Sequence, residues 1–322
     1  MKVLVTGATG FIGRAFVQRL AGDSRFTVVA AIRHEREAIP GVDVIAMGDL
    51  TVAPDWRRAL QGVDVVVHLA GRAHMMDDPA ADPLAAFRQM NAEVTLELAT
   101  QAAAAGVRRL IFLSSAKVNG ESTPAGVAFN ADAPVQPPTD AYALSKCEAE
   151  RDLRELTART SMECTIIRPP LVYGPGVREN FLTLMRWLGR GLPLPLGAIH
   201  NQRSLVGLDN LVDLIVLSLD HPAARNQTFM VSDGEDVSTT ELLTKLGRAL
   251  NKPARLLPVP SFMLRLGAAC LGQAHIARRL CDSLQVDIAK TRQVLGWQPR
   301  VSMDEGLRKT TEHWLASDGR HD

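Results

Sequence analysis

The chain opens with a short apolar run that leads directly into a turn containing three glycines. Residues 3–5 are Val-Leu-Val, and the octapeptide TGATGFIG spaces its glycines three residues apart: Gly7, Gly10 and Gly13. Apolar residues then recur at helical spacing: Ile12, Phe16 and Leu20. A glycine turn between a strand and a helix lets the backbone approach a pyrophosphate, and the helix amino terminus offers free N–H groups. We therefore predict a dinucleotide-binding turn; a glycine-rich turn that binds nothing is the alternative.

Length, composition and charge set wide limits on the class of protein. The 322 residues suffice for one large α/β domain or two smaller ones, and the net charge of +1 gives no reason to expect nucleic-acid binding. The four cysteines contain no CxxC pair and the eight histidines are dispersed, so no metal site is predicted. We find neither a signal peptide nor an apolar run of membrane-spanning length. The sequence thus predicts a cytoplasmic protein without stable membrane insertion.

Strand and helix patterns alternate through the first half of the chain. Short apolar runs predict strands at residues 3–5, 28–32, 42–47, 63–69, 110–113 and 165–167. A long helical pattern over 84–105 ends at Gly106, a predicted carboxyl-terminal cap. The alternation predicts an α/β fold, namely a Rossmann-type, doubly wound parallel sheet with right-handed crossovers.

The character of the sequence changes near Arg168. Prolines and glycines predict loops over 169–203, and the alternation then returns with a strand at 204–206, a helix at 209–219 and a strand at 229–231. The tail shows helices separated by proline turns. We predict a Rossmann domain of residues 1–168 with a returning segment of about 204–232. Residues 169–203 and 233–322 would form a smaller, mostly α-helical substrate-binding domain, with a substrate in the cleft between them.

The pentapeptide YALSK places Tyr142 and Lys146 four residues apart, behind a predicted helix cap at Thr139 or Asp140. Residues at this spacing share one face of a helix. A nearby ammonium favours phenolate, so Lys146 would lower the pKa of Tyr142 toward neutrality. Taken alone, the spacing is equally well explained by an ordinary exposed pair of side chains.

Other polar segments converge on the same region. The strand at 110–113 ends at Ser114 and Ser115, and the strand at 63–69 leads into Ala70 and Gly71. In open α/β sheets ligands bind where the parallel strands end. Because the two strand ends and the glycine turn meet at that edge, we predict an active site there.

These motifs together resemble those of the extended short-chain dehydrogenase/reductase family, which comprises nucleotide-sugar epimerases, dehydratases and 4-ketoreductases. The resemblance covers nearly the whole chain: TGATGFIG, GDL at 48–50, HLAG at 68–71, Asn91, SSAKVNG at 114–120, YALSK, RPPLVYGPG at 168–176 and RSLVGLDNLVD at 203–213. The resemblance implies that Tyr142 is the acid/base and that Lys146 binds the nicotinamide ribose. It also implies that Ser115 hydrogen-bonds the reacting sugar oxygen.

The same resemblance implies a set of cofactor contacts. They are Gly7, Thr9, Gly10, Phe11, Ile12, Gly13, Arg33, Asp49, Leu50, Leu69, Ala70, Gly71, Asn91, Ser114, Tyr142, Lys146 and Pro169. Where NAD-preferring relatives carry an acidic residue after the second strand, this chain has Arg33, with Arg36 close by. A guanidinium binds a 2′-phosphate and a carboxylate repels it, so we predict NADP(H). NAD(H), with Arg33 solvated, is the alternative.

The resemblance also implies contacts to a UDP-sugar substrate. Asn180 and Phe181 would touch the uracil or diphosphate, Arg203 and Arg279 would bind the phosphates, and Lys117 would join Ser115 near the sugar. Arginines in a loop-rich cleft suit a diphosphate, although plain surface charge explains them too. Family members pair through the helices that carry Asn91 and Tyr142, which implies a homodimer.

One departure from the family pattern narrows the reaction. Dehydratases of this family follow the catalytic Ser or Thr with an Asp-Glu pair, and this chain has Ala116 and Lys117 instead. The segments SSAKVNGE and RPPLVYGPGV resemble most the bacterial surface-polysaccharide enzymes that reduce UDP-4-keto-6-deoxy-N-acetylhexosamines. We therefore predict an NADPH-dependent 4-ketoreductase with a UDP-N-acetylquinovosamine-type product. A 4-epimerase with tightly bound NAD is the alternative, and a non-catalytic dinucleotide-binding protein a distant one.

Overall fold

The computed structural model of the chain describes residues 1–34, 39–72, 82–135 and 137–318. Seven strands form the main sheet: β1 (Lys2–Thr6), β2 (Thr27–Ile32), β3 (Asp43–Ala46), β4 (Val65–His68), β5 (Arg109–Leu113), β6 (Glu163–Arg168) and β9 (Gln227–Met230). Their order is β3-β2-β1-β4-β5-β6-β9, and every pair is parallel. This is the doubly wound Rossmann order, so the predicted fold class is confirmed.

Helices cover both faces of the sheet, as its nearly continuous apolar strands require. Those of the first half are α1 (Phe11–Ala21), α2 (Arg57–Leu60), α3 (Pro83–Arg88), α4 (Val94–Ala104) and α5 (Ala141–Thr157). Those that follow are α6 (Glu179–Gly189), α7 (Leu208–Ser218), α8 (Thr239–Ala249), α9 (Ser261–Cys270), α10 (Ala274–Cys281), α11 (Ala289–Leu295) and α12 (Met303–Asp318). No helix among the described residues is both long and apolar enough to cross a membrane.

The helix predicted over 84–105 is continuous but not uniform. A π-helical turn at Gln89–Glu93 joins α3 to α4, and Asn91 lies within it, fully buried. A π turn inserts one residue into the helix and so changes the direction in which its side chains point. The helix then ends before Gly106, whose φ of +80° fits the predicted cap.

A second, smaller sheet lies beside the first. It contains β7 (Leu171–Tyr173), β8 (Arg203–Gly207) and β10 (Asp236–Val237), in the order β10-β8-β7. The strand predicted at 204–206 therefore exists as β8 but belongs to this sheet, whereas β9 returns to the main one. An apolar core separate from those of the main sheet packs α6 and α8 against this side of the molecule. The division of the chain into two domains stays a prediction.

The glycine turn after β1 is packed directly against the end of β4. Gly7 has a φ of +66°, and a Cβ at this position would lie 2.6 Å from the amide nitrogen of Ala70. A Cβ on Gly13 would lie 2.0 Å from the carbonyl oxygen of Gly7. Only glycine allows both approaches, so the spacing of the motif is required by backbone packing.

This packing predicts that Gly7→Ala destabilises the fold far more than Gly62→Ala. Gly62 has nearly the same φ, +65°, but open space around its Cβ position. Both variants carry the left-handed strain of about 1 kcal/mol, and only Gly7→Ala adds a backbone clash of at least about 2 kcal/mol. Urea unfolding of the cofactor-free variants measures the difference. Equal losses for both would show that the turn can relax away from β4.

Candidate active site

The amino terminus of α1 is open toward the edge where the strands end. Gly10 precedes the helix in an extended conformation, and no described side chain caps the helix. The Gly10 amide is held by the carbonyl of Gly7 at 2.9 Å, which fixes the turn, while the first amides of α1 remain available. An uncapped helix terminus with close backbone access fits the pyrophosphate of a nicotinamide dinucleotide. Thr9, Phe11 and Ile12 are partly exposed around this terminus.

The helix α5 carries the predicted acid/base and lysine. The Asp140 side chain accepts a hydrogen bond from the Ala143 amide at 2.8 Å, which confirms Asp140 as the cap. Tyr142 is half-buried, and its ring packs edge-on against Phe87 with centroids 5.9 Å apart. Lys146 follows one turn later and is buried. Its ammonium donates to the Leu113 carbonyl at 3.0 Å and lies 4.6 Å from the centre of the Phe112 ring.

The Ser115 side chain lies beside Tyr142 and favours its phenolate. Burial raises the pKa of Tyr142 to about 12, and the effect of Ser115 opposes this rise only in part. The prediction that Lys146 brings this pKa near neutrality is therefore wrong for the ligand-free chain, because desolvation of the phenolate outweighs the favourable contacts. At neutral pH the Tyr142 phenol carries its proton.

Ser115 begins a short 3₁₀ turn, Ala116–Asn119, that follows β5. The Ser115 hydroxyl oxygen accepts the Lys117 amide at 3.3 Å, and the Ala116 amide donates to the Pro169 carbonyl at 2.9 Å. The Lys117 ammonium lies 3.6 Å from the Asp140 carboxylate. Lys117 is thus tied to the cap of α5, and Pro169 serves the turn through its backbone.

The Asn91 amide is used entirely within the protein. Its oxygen accepts the Arg72 amide at 2.8 Å, and its nitrogen donates to the Arg72 carbonyl and to the Ser145 hydroxyl, at 3.1 and 3.0 Å. Ser145 in turn donates to the Tyr142 carbonyl. We therefore correct the prediction that Asn91 is a cofactor contact: its side chain joins the segment after β4 to the turn of α5 that carries Tyr142.

A second buried chain of hydrogen bonds runs behind this segment. The Thr6 and His68 side chains meet at 2.7 Å, His68 meets Thr95 at 2.9 Å, and Thr95 donates to the Asn91 carbonyl. Burial lowers the pKa of His68 to about 3, and the charge of Lys146 adds to this effect. A neutral His68 therefore links β1, β4 and the π turn.

Ser114 points away from the cofactor edge. Its hydroxyl donates to the Glu150 carboxylate at 2.6 Å, and Glu150 is paired with Arg168 in the interior. We therefore correct the prediction of Ser114 as a cofactor contact, because its side chain is buried in this network. Arg168 lowers the pKa of Glu150 against the effect of burial, so the carboxylate stays charged. Glu150 lies four residues after Lys146 and favours the charged ammonium there.

The predicted adenosine end of the site lies at the ends of β2 and β3. Arg33 is exposed directly after β2, and Arg36 is outside the described residues. Two hydrogen bonds from Thr51, with a smaller effect of the Arg33 charge, hold the pKa of Asp49 below its usual range. Arg33 and Asp49 are thus neighbours, as the predicted site requires, and Leu50 follows them partly buried.

On the substrate side the structure brings the two predicted arginines together. Arg203 donates to the carbonyls of Arg279 and Asp282, at 2.8 and 3.1 Å. Burial lowers the pKa of Arg203, the charge of Asp282 opposes this effect, and the charge of Arg279 adds to it. Two neighbouring cations favour an anion between them. The side chain of Asn180 lies outside the described residues.

Phe181 requires a correction. Its side chain is buried and stacks on Tyr173, with ring centroids 5.8 Å apart and an angle of 16° between the planes. The ring therefore belongs to the apolar core around α6 and α8 and has no exposed face for a uracil.

A model of the NAD dependent epimerase/dehydratase family matches residues 3–232. The chain belongs to this family. It is 46% identical over 320 residues to a UDP-glucose 4-epimerase of Vibrio cholerae, which covers 99% of this chain and 97% of the relative. The predicted NAD(P)-dependent enzyme of the extended short-chain dehydrogenase/reductase type is thereby confirmed.

Two further members of the epimerase/dehydratase family are similar along their whole length. An N-acetyl-alpha-D-glucosaminyl-diphospho-ditrans,octacis-undecaprenol 4-epimerase of Escherichia coli O157:H7 is 27% identical, with 97% of this chain and 95% of the relative covered. A crystal structure of UDP-glucuronic acid 4-epimerase from Bacillus cereus with UDP-glucuronic acid and NAD gives a TM-score of 0.80 at 22% identity, over 98% and 100% of the two chains. The latter shows that the fold is the same.

The sequence did not lead us to predict the residues that hold the candidate active site in place. Glu150 could have been found, because it continues the four-residue spacing of Tyr142 and Lys146 along one helix face. Arg168 ends a buried strand directly after Ile166 and Ile167, which is also a signal of an internal ion pair. No local pattern indicates Ser145 or Thr95 as partners of Asn91.

The Lys146 environment predicts a pH dependence of stability. Burial lowers the pKa of Lys146 from its ordinary 10.5 to about 8 in the folded chain. Between these values the unfolded chain binds more protons, so the free energy of unfolding rises with pH. Relative to Lys146→Met, the unmodified chain should gain roughly 1.5 kcal/mol between about pH 8 and pH 9.5. If the difference in free energy of unfolding between the two proteins stayed constant across this pH range, Lys146 would titrate normally.

Proposed function

We propose that the chain transfers a hydride at C4 of a UDP-sugar, with Tyr142 moving the proton at the C4 oxygen. One observation carries the proposal. The Tyr142 and Ser115 side chains lie beside each other at the edge of the sheet onto which the glycine turn opens. Two adjacent hydroxyls, one of them a phenol that can give up its proton, suit a sugar oxygen that changes between alcohol and carbonyl.

Each group has a distinct role in this proposal. The glycine turn of Gly7, Gly10 and Gly13 would hold a nicotinamide cofactor, which would supply or accept the hydride. Ser115 hydrogen-bonds the C4 oxygen and orients it toward Tyr142, which donates its proton when the sugar is reduced. The buried Lys146 ammonium stabilises the phenolate that remains. Its bond to the Leu113 carbonyl holds it in the direction of the cofactor ribose.

A nucleoside diphosphate is supported by charge and by the relatives. The adjacent Arg203 and Arg279 supply two cations on the side of the smaller lobe. The Vibrio cholerae relative is named for UDP-glucose, and the Bacillus cereus structure holds UDP-glucuronic acid. An anionic UDP group would be bound by these arginines, with the sugar directed to Tyr142.

Two outcomes of the same chemistry are supported by different observations. The name of the 46% identical relative favours a 4-epimerase, which oxidises C4 and reduces it again from the other face. The exposed Arg33, together with the resemblance of SSAKVNGE and RPPLVYGPGV to the reductases of surface-polysaccharide synthesis, favours an NADPH-dependent 4-ketoreductase acting on a UDP-4-keto-6-deoxy-N-acetylhexosamine. A dehydratase is disfavoured, because Ala116 and Lys117 stand where the acidic pair would be.

Parallel assays test the proposal and separate the outcomes. The purified protein is given UDP-glucose or UDP-N-acetylglucosamine without added cofactor, and in a second assay the 4-keto sugar with NADPH. Formation of the C4 epimer in the first assay identifies an epimerase. Stoichiometric NADPH oxidation in the second identifies a reductase. Failure of both would contradict C4 chemistry on a UDP-sugar.

Tyr142→Phe should lower turnover in the productive assay by about 10²–10⁴-fold, because only the proton transfer loses its group. The chain has one other tyrosine, Tyr173, whose buried hydroxyl donates to Asp233 at 2.7 Å. Tyr173→Phe is the matched control: it should reduce stability by about 1–3 kcal/mol and leave turnover nearly unchanged. Near-normal turnover of folded Tyr142→Phe would remove Tyr142 from the mechanism.

Arg33→Asp should shift cofactor preference from NADPH toward NADH. The substitution replaces a guanidinium that binds a 2′-phosphate with a carboxylate that accepts a ribose hydroxyl. Arg225→Asp, at the opposite edge of the sheet before β9, is the control for a simple change of charge. The ratio of kcat/KM for the two cofactors measures the preference. A ratio unaffected by Arg33→Asp would show that Arg33 is solvated and would leave the cofactor preference open.

A further inference from the structure

Helix α9 is apolar except for Ser261 and Arg265, and yet it has no buried residue. Its Phe262, Met263 and Leu266 side chains are 67%, 52% and 66% exposed. Arg265 is its only charged residue, and it is paired with Asp282. A helix with so many apolar side chains is normally covered by other structure. The exposed apolar side of α9 is therefore expected to have a partner.

The exposed side chains around α9 form a continuous region. Segments 192–198 and 254–260 run side by side, and the second segment leads into α9. The Leu257 amide donates to the Leu194 carbonyl, and the Leu194 amide donates to the Arg255 carbonyl. Seven of the twelve exposed large apolar side chains among the described residues lie on these elements and their neighbours: Trp187, Leu192, Leu257, Phe262, Met263, Leu266 and Leu271. We call these seven residues the apolar surface. Clustering on this scale marks an interaction site.

A cavity lies beneath α9. It has a volume of about 430 Å³ and is lined mainly by leucines, prolines and the apolar side of α10. Leu264 and Ala268 of α9 face into it. The helix therefore rests on an underfilled apolar space, so its position is weakly determined by the chain's own packing.

Charge around the apolar surface is mainly positive, with the Asp282 carboxylate paired to Arg265 at its border. Residues 181–208 contain three arginines and residues 250–281 contain five lysines and arginines, with no aspartate or glutamate in either segment. The chain as a whole has a net charge of only +1. Arg186, Arg190, Arg255 and Arg278 are exposed. The partner of this face must therefore tolerate or attract concentrated positive charge.

We propose that the apolar surface docks on an anionic lipid bilayer, with α9 lying in the plane of the interface. An apolar helix flanked by arginines suits this arrangement, since its side chains enter the acyl boundary while the cations meet lipid phosphates. A second copy of the chain is a poorer partner. A two-fold contact would bring the same surface, with its cations, against itself.

The docked face lies next to the arginines of the proposed substrate site. Helix α10 lines the cavity with Ile276 and Leu280 and also carries Arg279, whose carbonyl accepts Arg203. After docking, only helix α10 would therefore separate this arginine pair from the lipid headgroups. The inference goes beyond the proposed reaction, because lipid binding is measured without any substrate.

Flotation of the full chain with vesicles tests the inference. Vesicles of phosphatidylcholine with about a quarter phosphatidylglycerol should bind the chain, more weakly as salt is raised, and pure phosphatidylcholine vesicles should bind it less. Phe262→Glu with Leu266→Glu should weaken binding at least about tenfold. Both positions are more than half exposed, so the fold should be retained. Leu315→Glu, 49% exposed on α12, is the matched control and should bind normally.

A second variant keeps the test independent of α9. Arg255→Glu with Arg278→Glu removes exposed cations and should also weaken binding to the anionic vesicles. No binding by the unmodified chain, or equal binding by the glutamate variants, would overturn the proposal. So would a dimer in sedimentation that Phe262→Glu with Leu266→Glu abolishes. A dimer through the helices carrying Asn91 and Tyr142 would survive these substitutions.

Discussion

The contact between the turns after β1 and β4 is the constraint on which the site depends. Parallel pairing sets Thr6 opposite His68, so the two chains leave the sheet side by side. Gly7 then lies so close to Ala70 that no larger residue fits at position 7. This approach aims the amino terminus of α1 at the strand ends, and it fixes where a phosphate and a nicotinamide can lie relative to each other. Every other group of the site is placed with respect to this contact.

A buried ion pair holds the opposite side of the site. Glu150 and Arg168 are each 1% exposed, and they join α5 to β6, to Ser114 and to Asn119. Losing one partner of such a pair costs about 3–5 kcal/mol, because the other charge is left without compensation. The pair therefore keeps the helix that carries Tyr142 and Lys146 in fixed register with the strand ends. It also gives a partner to Asn119.

The sequence predicted those features that local patterns encode. Buried parallel strands are apolar runs, and Asp140 is a side-chain cap, so both were visible. The sheet to which β8 belongs was not, because pairing is decided by distant segments. The burial of Phe181 and Ser114 was not visible either. The family resemblance implies that both contact a ligand, but packing turns both side chains inward. The prediction for the pKa of Tyr142 was wrong for a similar reason. The spacing shows that a charged lysine is near, but it does not show that burial removes water from the phenol.

The direction of the hydrogen bonds that run through His68 determines how this part of the protein responds to acid. Thr95 donates its hydroxyl proton to the Asn91 carbonyl, so its oxygen can only accept from His68. The Thr6 oxygen accepts the Ala70 amide, and its hydroxyl proton is donated to His68. The imidazole must accept at Nδ1 and donate at Nε2, which permits a single neutral tautomer. With a pKa near 3, it keeps that tautomer throughout mildly acidic conditions. The framework behind the cofactor segment is thus indifferent to acidification, and any loss of activity between about pH 4 and 7 must begin at another group.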